Sequence, residues 1–213
     1  MAPVRDVRVC VFGDSFVAGV GDPKALGWVG RVVARTPSST GVDLTVYQLG
    51  VRGESVEDVV VRMPTESAPR FARGDEHGVV VSAGVADAHA SIPVERSAAT
   101  LEFGLGSTDV RRLVVGPPPV GSPDVRARIA DLDVAFEEVC VRLAVPYVST
   151  HRPLADHRPW LEQAFTDGLH PGQAGYGMLA YVVLHGGWYD WLDVEAPVTR
   201  DRTRRGDTGS GGV

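Results

Sequence analysis

The order of strand and helix patterns predicts an α/β protein with a five-stranded parallel sheet and helices on both faces. Three observations carry that reading. The runs Val7–Phe12, Gly78–Ser82 and Leu113–Val115 are almost continuously apolar and rich in valine, as strands buried on both faces should be. The stretches between them repeat apolar residues at helical spacing. The runs also stop at turn formers: Gly13, Ala83-Gly84 and Gly116-Pro117-Pro118-Pro119. For five parallel strands in this layout, the common order is 2-1-3-4-5.

Strand one is read over Val7–Phe12. A helix follows near Gly27–Arg35, where Trp28, Val29, Val32 and Val33 form one apolar face. Strand two is Leu44–Leu49. A helix over Ser55–Met63 carries Val56, Val59, Val60 and Met63 at helical spacing. Strand three is Gly78–Ser82, followed by a helix near Val94–Phe103. Strand four is Leu113–Val115, halted by prolines that cannot continue a central strand. A long helix spans Pro123–Leu143, with Ile129, Leu132, Val139 and Leu143 inward. Strand five is Tyr147–Ser149, and the last helix runs from after Pro171 to Leu184. Between these two, Thr150–Thr166 is the most irregular segment and is long enough to shape a pocket. Trp188, Tyr189, Trp191 and Leu192 read as a packing clamp on the sheet. Residues 1–196 form one domain. The polar, glycine-rich tail 197–213, with four arginines, is expected to be disordered.

Two motifs carry chemistry. Val7–Phe12 leads into Gly13-Asp14-Ser15-Phe16, which puts a hydroxyl at the carboxyl end of the first strand, where open α/β sheets place their ligands. The N–H groups of a following helix would face a developing negative charge there. The same serine could serve only as a helix cap. Near the other end, Asp167-Gly168-Leu169-His170-Pro171 sets a carboxylate three residues before a histidine. A serine hydroxyl needs a base to become nucleophilic. Histidine titrates near neutrality, and a carboxylate on its other nitrogen fixes the tautomer. Alone, this second motif could be a capped helix with proline in its first turn. Both motifs in one chain favour a Ser-His-Asp triad.

With these residues the chain resembles the GDSL or SGNH hydrolases over about residues 5–192. Gly13-Asp14-Ser15-Phe16 matches their first block and Asp167-Gly168-Leu169-His170-Pro171 their last. The second block matches Gln48-Leu49-Gly50-Val51-Arg52-Gly53-Glu54-Ser55. The resemblance implies a three-layer α/β/α, flavodoxin-like fold with strand order 2-1-3-4-5. It also implies hydrolysis of an ester or thioester through an acyl-enzyme. By it, Ser15 is the nucleophile and an oxyanion donor, and Asp167 and His170 complete the triad. Gly53 is the second backbone donor, with Gly50 the other candidate.

The third block departs from the pattern. Where the family has glycine, any residue, asparagine and aspartate, this chain reads Gly84-Val85-Ala86-Asp87. Ala86 has no side-chain donor, and loss of one oxyanion donor costs about 10²–10³ in rate. Three outcomes stay open: a hole made of the Ser15 and Gly53 N–H groups alone, another donor with His89 nearest in sequence, or a changed task. Acyl transfer and non-catalytic binding are the alternatives to hydrolysis. Asp14 and Asp87 are assigned to bracing their loops. A two-carboxylate glycosidase built on them would leave Ser15 and His170 without purpose.

The rest of the sequence excludes more than it identifies. A net charge of −6 over 213 residues argues against a general nucleic-acid or membrane-surface binder. Met1–Asp6 runs into the first strand without a separate apolar leader, and no run approaches the ~20 residues of a membrane span. Cys10 and Cys140 read as buried reduced thiols, which fits a cytoplasmic protein. No cofactor is expected. Gly19-Val20-Gly21 lacks the rest of a dinucleotide fingerprint, and no Walker sequence or Gly-X-Ser-X-Gly elbow occurs. His151, Asp156 and His157 have no paired metal-ligand spacing. His77 and His185 are read as surface or packing residues. The expected partner is a small acyl ester or thioester.

Overall fold

β1 (Arg5–Gly13) is apolar on both faces because it lies inside the sheet with a strand on either side, and Val9, Cys10, Val11 and Phe12 are all fully buried. In the computed structural model, which describes residues 4–37, 41–163 and 167–197, β1 pairs in parallel with β2 (Val42–Gly50) and β3 (Glu76–Ser82). β4 (Arg111–Val115) and β5 (Tyr147–Val148) extend the sheet on the β3 side. The order is β2-β1-β3-β4-β5, all parallel, as the alternation predicts. Every β1, β2 and β3 loop that follows a strand therefore opens at one edge.

The helices fill both faces. α1 (Ser15–Ala18) and α2 (Gly27–Val33) follow β1, α3 (Val56–Arg70) follows β2, and α4 (Val85–His89) and α5 (Val94–Gly106) follow β3. α6 (Pro123–Arg142) precedes β5. After β5 come α7 (His151–Leu154), α8 (Arg158–Leu161), α9 (Gln173–Val183) and, past a π-helical turn at Leu184–Trp188, α10 (Tyr189–Leu192). The short helices α1, α4, α7 and α8 are too brief to leave a periodic pattern, so Thr150–Thr166 reads as irregular in sequence. Residues 164–166 and 198–213 lie outside the described residues, as does nearly all of the expected tail.

α3 continues past the expected stop at Met63. Its start is fixed by a capping box between Ser55 and Asp58. Pro64 and Pro69 sit on the exposed side, while Val56, Val59, Val60, Met63 and Ser67 form the buried stripe. The proline rings thus face solvent, and burial of the opposite side carries the helix through them. The closing aromatics pack as a clamp: the Trp191 ring lies against Gly78 of β3 and its Nε1 donates to the Arg112 carbonyl at 2.8 Å. Cys10 and Cys140 are buried and unpaired, and burial pushes their thiols up to about 11 and about 12. Among the described residues no helix is long and apolar enough to cross a membrane.

Candidate active site

The serine turn is built by close packing. A Cβ on Gly13 would meet the Ser82 carbonyl oxygen at 2.0 Å, so β1 can approach β3 this closely only with glycine there. Asp14 is the N-cap of α1, and its Oδ1 accepts the Phe16 N–H at 2.9 Å. Ser15 is then the first residue of the helix. Gly19 closes that single turn in the left-handed conformation, at φ 74°. Asp14 is 2% exposed. Burial, opposed by the Phe16 N–H bond and reinforced by the negative charge of Asp87, pushes its carboxyl up to about 7.

The histidine comes from the loop before α9. Asp167 Oδ1 accepts the N–H groups of Leu169 (3.1 Å) and His170 (2.8 Å), and its Oδ2 lies 2.5 Å from His170 Nδ1. Gly168 turns the backbone between them at φ 75°. Burial alone would raise the Asp167 carboxyl. The hydrogen bonds from His170 and Leu169 outweigh it and hold the group well below the ordinary carboxylate range. Asp167 therefore remains an acceptor, which leaves His170 Nε2 free to take a proton. That nitrogen lies 2.7 Å from Ser15 Oγ, across 155 positions of sequence. The Phe16 ring packs on the imidazole at 5.4 Å, and Tyr176 Oη donates to the Val20 carbonyl at 2.7 Å, joining α9 to the loop after α1.

Ser15, Asp167 and His170 are thus in one hydrogen-bonded row, of which Ser15 and His170 line a cleft of about 540 Å³. The β2 loop adds Arg52 and Gly53 to the wall, and the β3 loop adds Val85, Ala86, His89 and Ala90. Leu169 closes the cleft beside His170. Gly53 has φ 79° and open space where a Cβ would be. Gly50 differs: a Cβ there would meet the Ala18 nitrogen at 2.2 Å, so it serves the packing of α1 on β2 and does not line the cleft. Ala86 and His89 lie one turn apart on α4, so both reach the same wall. Asp87, 1% exposed, accepts the Val56 N–H at 3.0 Å and the Ser97 hydroxyl at 2.7 Å. It ties α4 to the starts of α3 and α5.

Sequence reasoning gives no warning of Arg62. From α3 its Nη2 donates to the carbonyls of Leu49 (2.7 Å) and Gly13 (3.2 Å), and its Nε pairs with Glu54 at 2.7 Å. The Val51 N–H also donates to the Gly13 carbonyl, at 2.9 Å. The loop bearing Gly53 is therefore fastened to the serine turn from both sides. Only the eight-residue separation of Arg62 from Glu54 could have signalled this, and that is no motif. The remaining histidines are elsewhere: His77 stacks on Phe71 at 4.7 Å, His185 lies against Tyr181 at 4.2 Å, and His151 and His157 lie at the starts of α7 and α8.

The family model for GDSL-like lipases and acylhydrolases matches residues 11–178. Solved structures share the fold. A lipolytic protein of the G-D-S-L family from Veillonella parvula superposes with a TM-score of 0.71 at 18% identity, over 84% of this chain and 97% of that one. A lipase/acylhydrolase from Enterococcus faecalis gives 0.72 at 24% identity, over 89% and 98%. An acetylxylan esterase from Geobacillus stearothermophilus gives 0.70 at 18% identity, over 92% and 98%. No curated protein matches the chain.

Proposed function

The chain belongs to the GDSL-like lipase/acylhydrolase family, and from that premise we propose that it hydrolyses a carboxylic ester or thioester through an acyl-enzyme on Ser15. The observation that carries the reading is the row Asp167 Oδ2, His170 Nδ1, His170 Nε2, Ser15 Oγ, with gaps of 2.5 and 2.7 Å, whose Ser15 end opens into a cleft.

In this reading His170 Nε2 takes the Ser15 proton as Oγ attacks the acyl carbon, and the carbonyl electrons move to oxygen. The N–H groups of Ser15 and Gly53 receive that oxyanion. Collapse breaks the bond to the alcohol or thiol, which leaves with the proton from His170. Water then gives its proton to His170 and attacks the acyl-enzyme, and as the Oγ–acyl bond breaks the acid leaves and His170 returns that proton to Ser15 Oγ. Asp167 holds the imidazole in one tautomer and balances its charge while protonated. Ala86 offers no side-chain donor, so the hole rests on backbone groups unless His89 supplies a further one. The fold-level likeness to an acetylxylan esterase is compatible with a short acyl group but does not select one.

A fluorophosphonate probe followed by peptide mass spectrometry tests the reading. Ser15 should be phosphonylated, and Ser15→Ala should lose both labelling and turnover of p-nitrophenyl acetate with the fold intact. An unlabelled Ser15 in folded protein, or full turnover by Ser15→Ala, refutes it.

A further inference from the structure

The cleft holds a cation that the fold does not use. Arg52 is exposed, lines the cleft beside Gly53, and makes no hydrogen bond or ion pair with any described residue. Other arginines are committed. Arg62 is consumed by Glu54 and two strand-end carbonyls, Arg96 pairs with Glu57 at 2.6 Å, and Arg128 donates to the Ala88 carbonyl. The backbone beneath Arg52 is anchored on both sides, through the Val51 N–H on the Gly13 carbonyl and through Glu54 on Arg62. A guanidinium rising from an anchored loop gives up less freedom on pairing than one on a loose loop.

No described carboxylate of the cleft is placed to neutralise it. Asp14 and Asp87 are buried and bonded to backbone N–H groups, Asp167 faces His170, and Glu54 is taken by Arg62. The cleft is otherwise lined by small apolar residues, Val85, Ala86 and Ala90, and by the His89 ring. In a chain of net charge −6, this cleft thus carries one guanidinium with no described carboxylate bonded to it. A planar guanidinium there suits a two-oxygen anion in bidentate contact.

We propose that the ester taken by this cleft carries an anionic group, a carboxylate or a phosphate, which pairs with Arg52. The proposal rests on the ester-hydrolase reading and names the class of its substrate. Arg52 is then a specificity-determining residue that touches the substrate away from the scissile bond.

Matched esters test it, each rate being divided by that ester's own hydroxide-catalysed rate. Methyl 4-acetoxybenzoate is the neutral reference for 4-acetoxybenzoate and 4-acetoxyphenyl phosphate, which put the charge on the leaving group. 4-Nitrophenyl pentanoate is the reference for mono-4-nitrophenyl glutarate, which puts it on the acyl chain. At low salt, at least one charged ester should exceed its neutral partner in kcat/KM by about tenfold. The ratio should shrink at about 0.5 M salt, fall within about twofold in Arg52→Gln, and persist in part in Arg52→Lys. The carboxylate and phosphate arms show which anion is preferred. Calorimetric titration of Ser15→Ala with the same unreacted esters reads the site without turnover, and Ser15→Ala/Arg52→Gln should lose the charged-over-neutral gap. Equal handling of charged and neutral esters, or a preference that survives Arg52→Gln, overturns the proposal. Absence of turnover and of Ser15 labelling refutes the hydrolase reading instead, while the titration still decides the anion site.

Discussion

Asp14→Asn should stabilise the protein at alkaline pH, with a gain that disappears on acidification. Asp14 is buried beside the serine turn, with Asp87 as a like charge nearby, and its carboxyl is pushed up from 3.8 to about 7. For an acid raised in the folded state, the sign is fixed. Below pH 3.8 both states hold the proton and the group contributes nothing. Between 3.8 and about 7 the unfolded chain releases it while the folded chain keeps it, so stability falls as pH rises, and the full cost is present above about 7. Three pH units at 1.36 kcal/mol each give a ceiling of roughly 4 kcal/mol. Asparagine keeps an oxygen for the Phe16 N–H but buries an amide N–H₂, which costs about 1–3 kcal/mol if unpaired. The net gain at pH 8 is therefore on the order of 1–3 kcal/mol. Urea unfolding of wild type and variant at half-unit steps from pH 4.5 to 8 measures it. The slope is the decisive quantity: a difference between the two proteins that is flat with pH, or that favours wild type increasingly above pH 6, refutes the buried-charge account.

Other expectations follow from the same geometry. Ser15→Ala and His170→Ala should each cut kcat by about 10⁴ or more, and the double variant should lose little beyond either single, because triad members act as a unit; additive losses in kcat/KM on p-nitrophenyl acetate would contradict a shared role. Ala86→Asn should raise kcat/KM on the same ester, by up to ~10²-fold if its amide meets the oxyanion squarely and by less if it sits an ångström away; no Ser15-dependent rise would mean that His89 or the backbone already completes the hole. Arg62→Lys replaces a fork that reaches Glu54 and two carbonyls with a point donor, and should lower kcat by about tenfold at nearly constant KM while costing about 1–3 kcal/mol in urea unfolding; unchanged kcat would show that the Gly53 loop holds itself.

The fold was legible because buried parallel strands write themselves as valine-rich runs, and because Gly13 and Gly84 mark where β1 and β3 end. The starts of β1 to β4 moved outward by two residues, since pairing extends β2 and β3 into sequence with polar residues at Asp43, Glu76 and His77, while β5 ends one residue short of Ser149. The helix runs past Met63 because burial of Val56, Val59, Val60, Met63 and Ser67 outweighs the hydrogen bond lost at Pro64 and the clash of its ring with the preceding turn. In the site, Ser15, Asp167 and His170 are local motifs with local devices, a cap and an Asp-centred turn. Arg62 and the Asp87 bonds to Val56 and Ser97 join elements that are distant in sequence, so no spacing could announce them.

Short-range devices aim each reacting group, but the 2.7 Å gap between Ser15 and His170 is a long-range quantity. It is set by how the loop after α1 and the α2 helix hold α9. That loop is organised by the buried Asp22 carboxylate, which accepts the N–H groups of Lys24, Leu26 and Gly27 and pairs with Arg31 of α2. Pairing with Arg31, stronger than the opposing effect of burial, lowers the Asp22 carboxyl to about 2, so the pair stays charged through any working pH. The loop then presents Gly21 so close to His170 that a Cβ would stand 3.1 Å from the histidine Cβ, and it accepts Tyr176 from α9 at Val20. The ion pair is thus connected to the imidazole through one rigid loop, though neither Asp22 nor Arg31 touches it. This explains how Ser15 and His170, supplied from opposite ends of the chain, meet at hydrogen-bond distance.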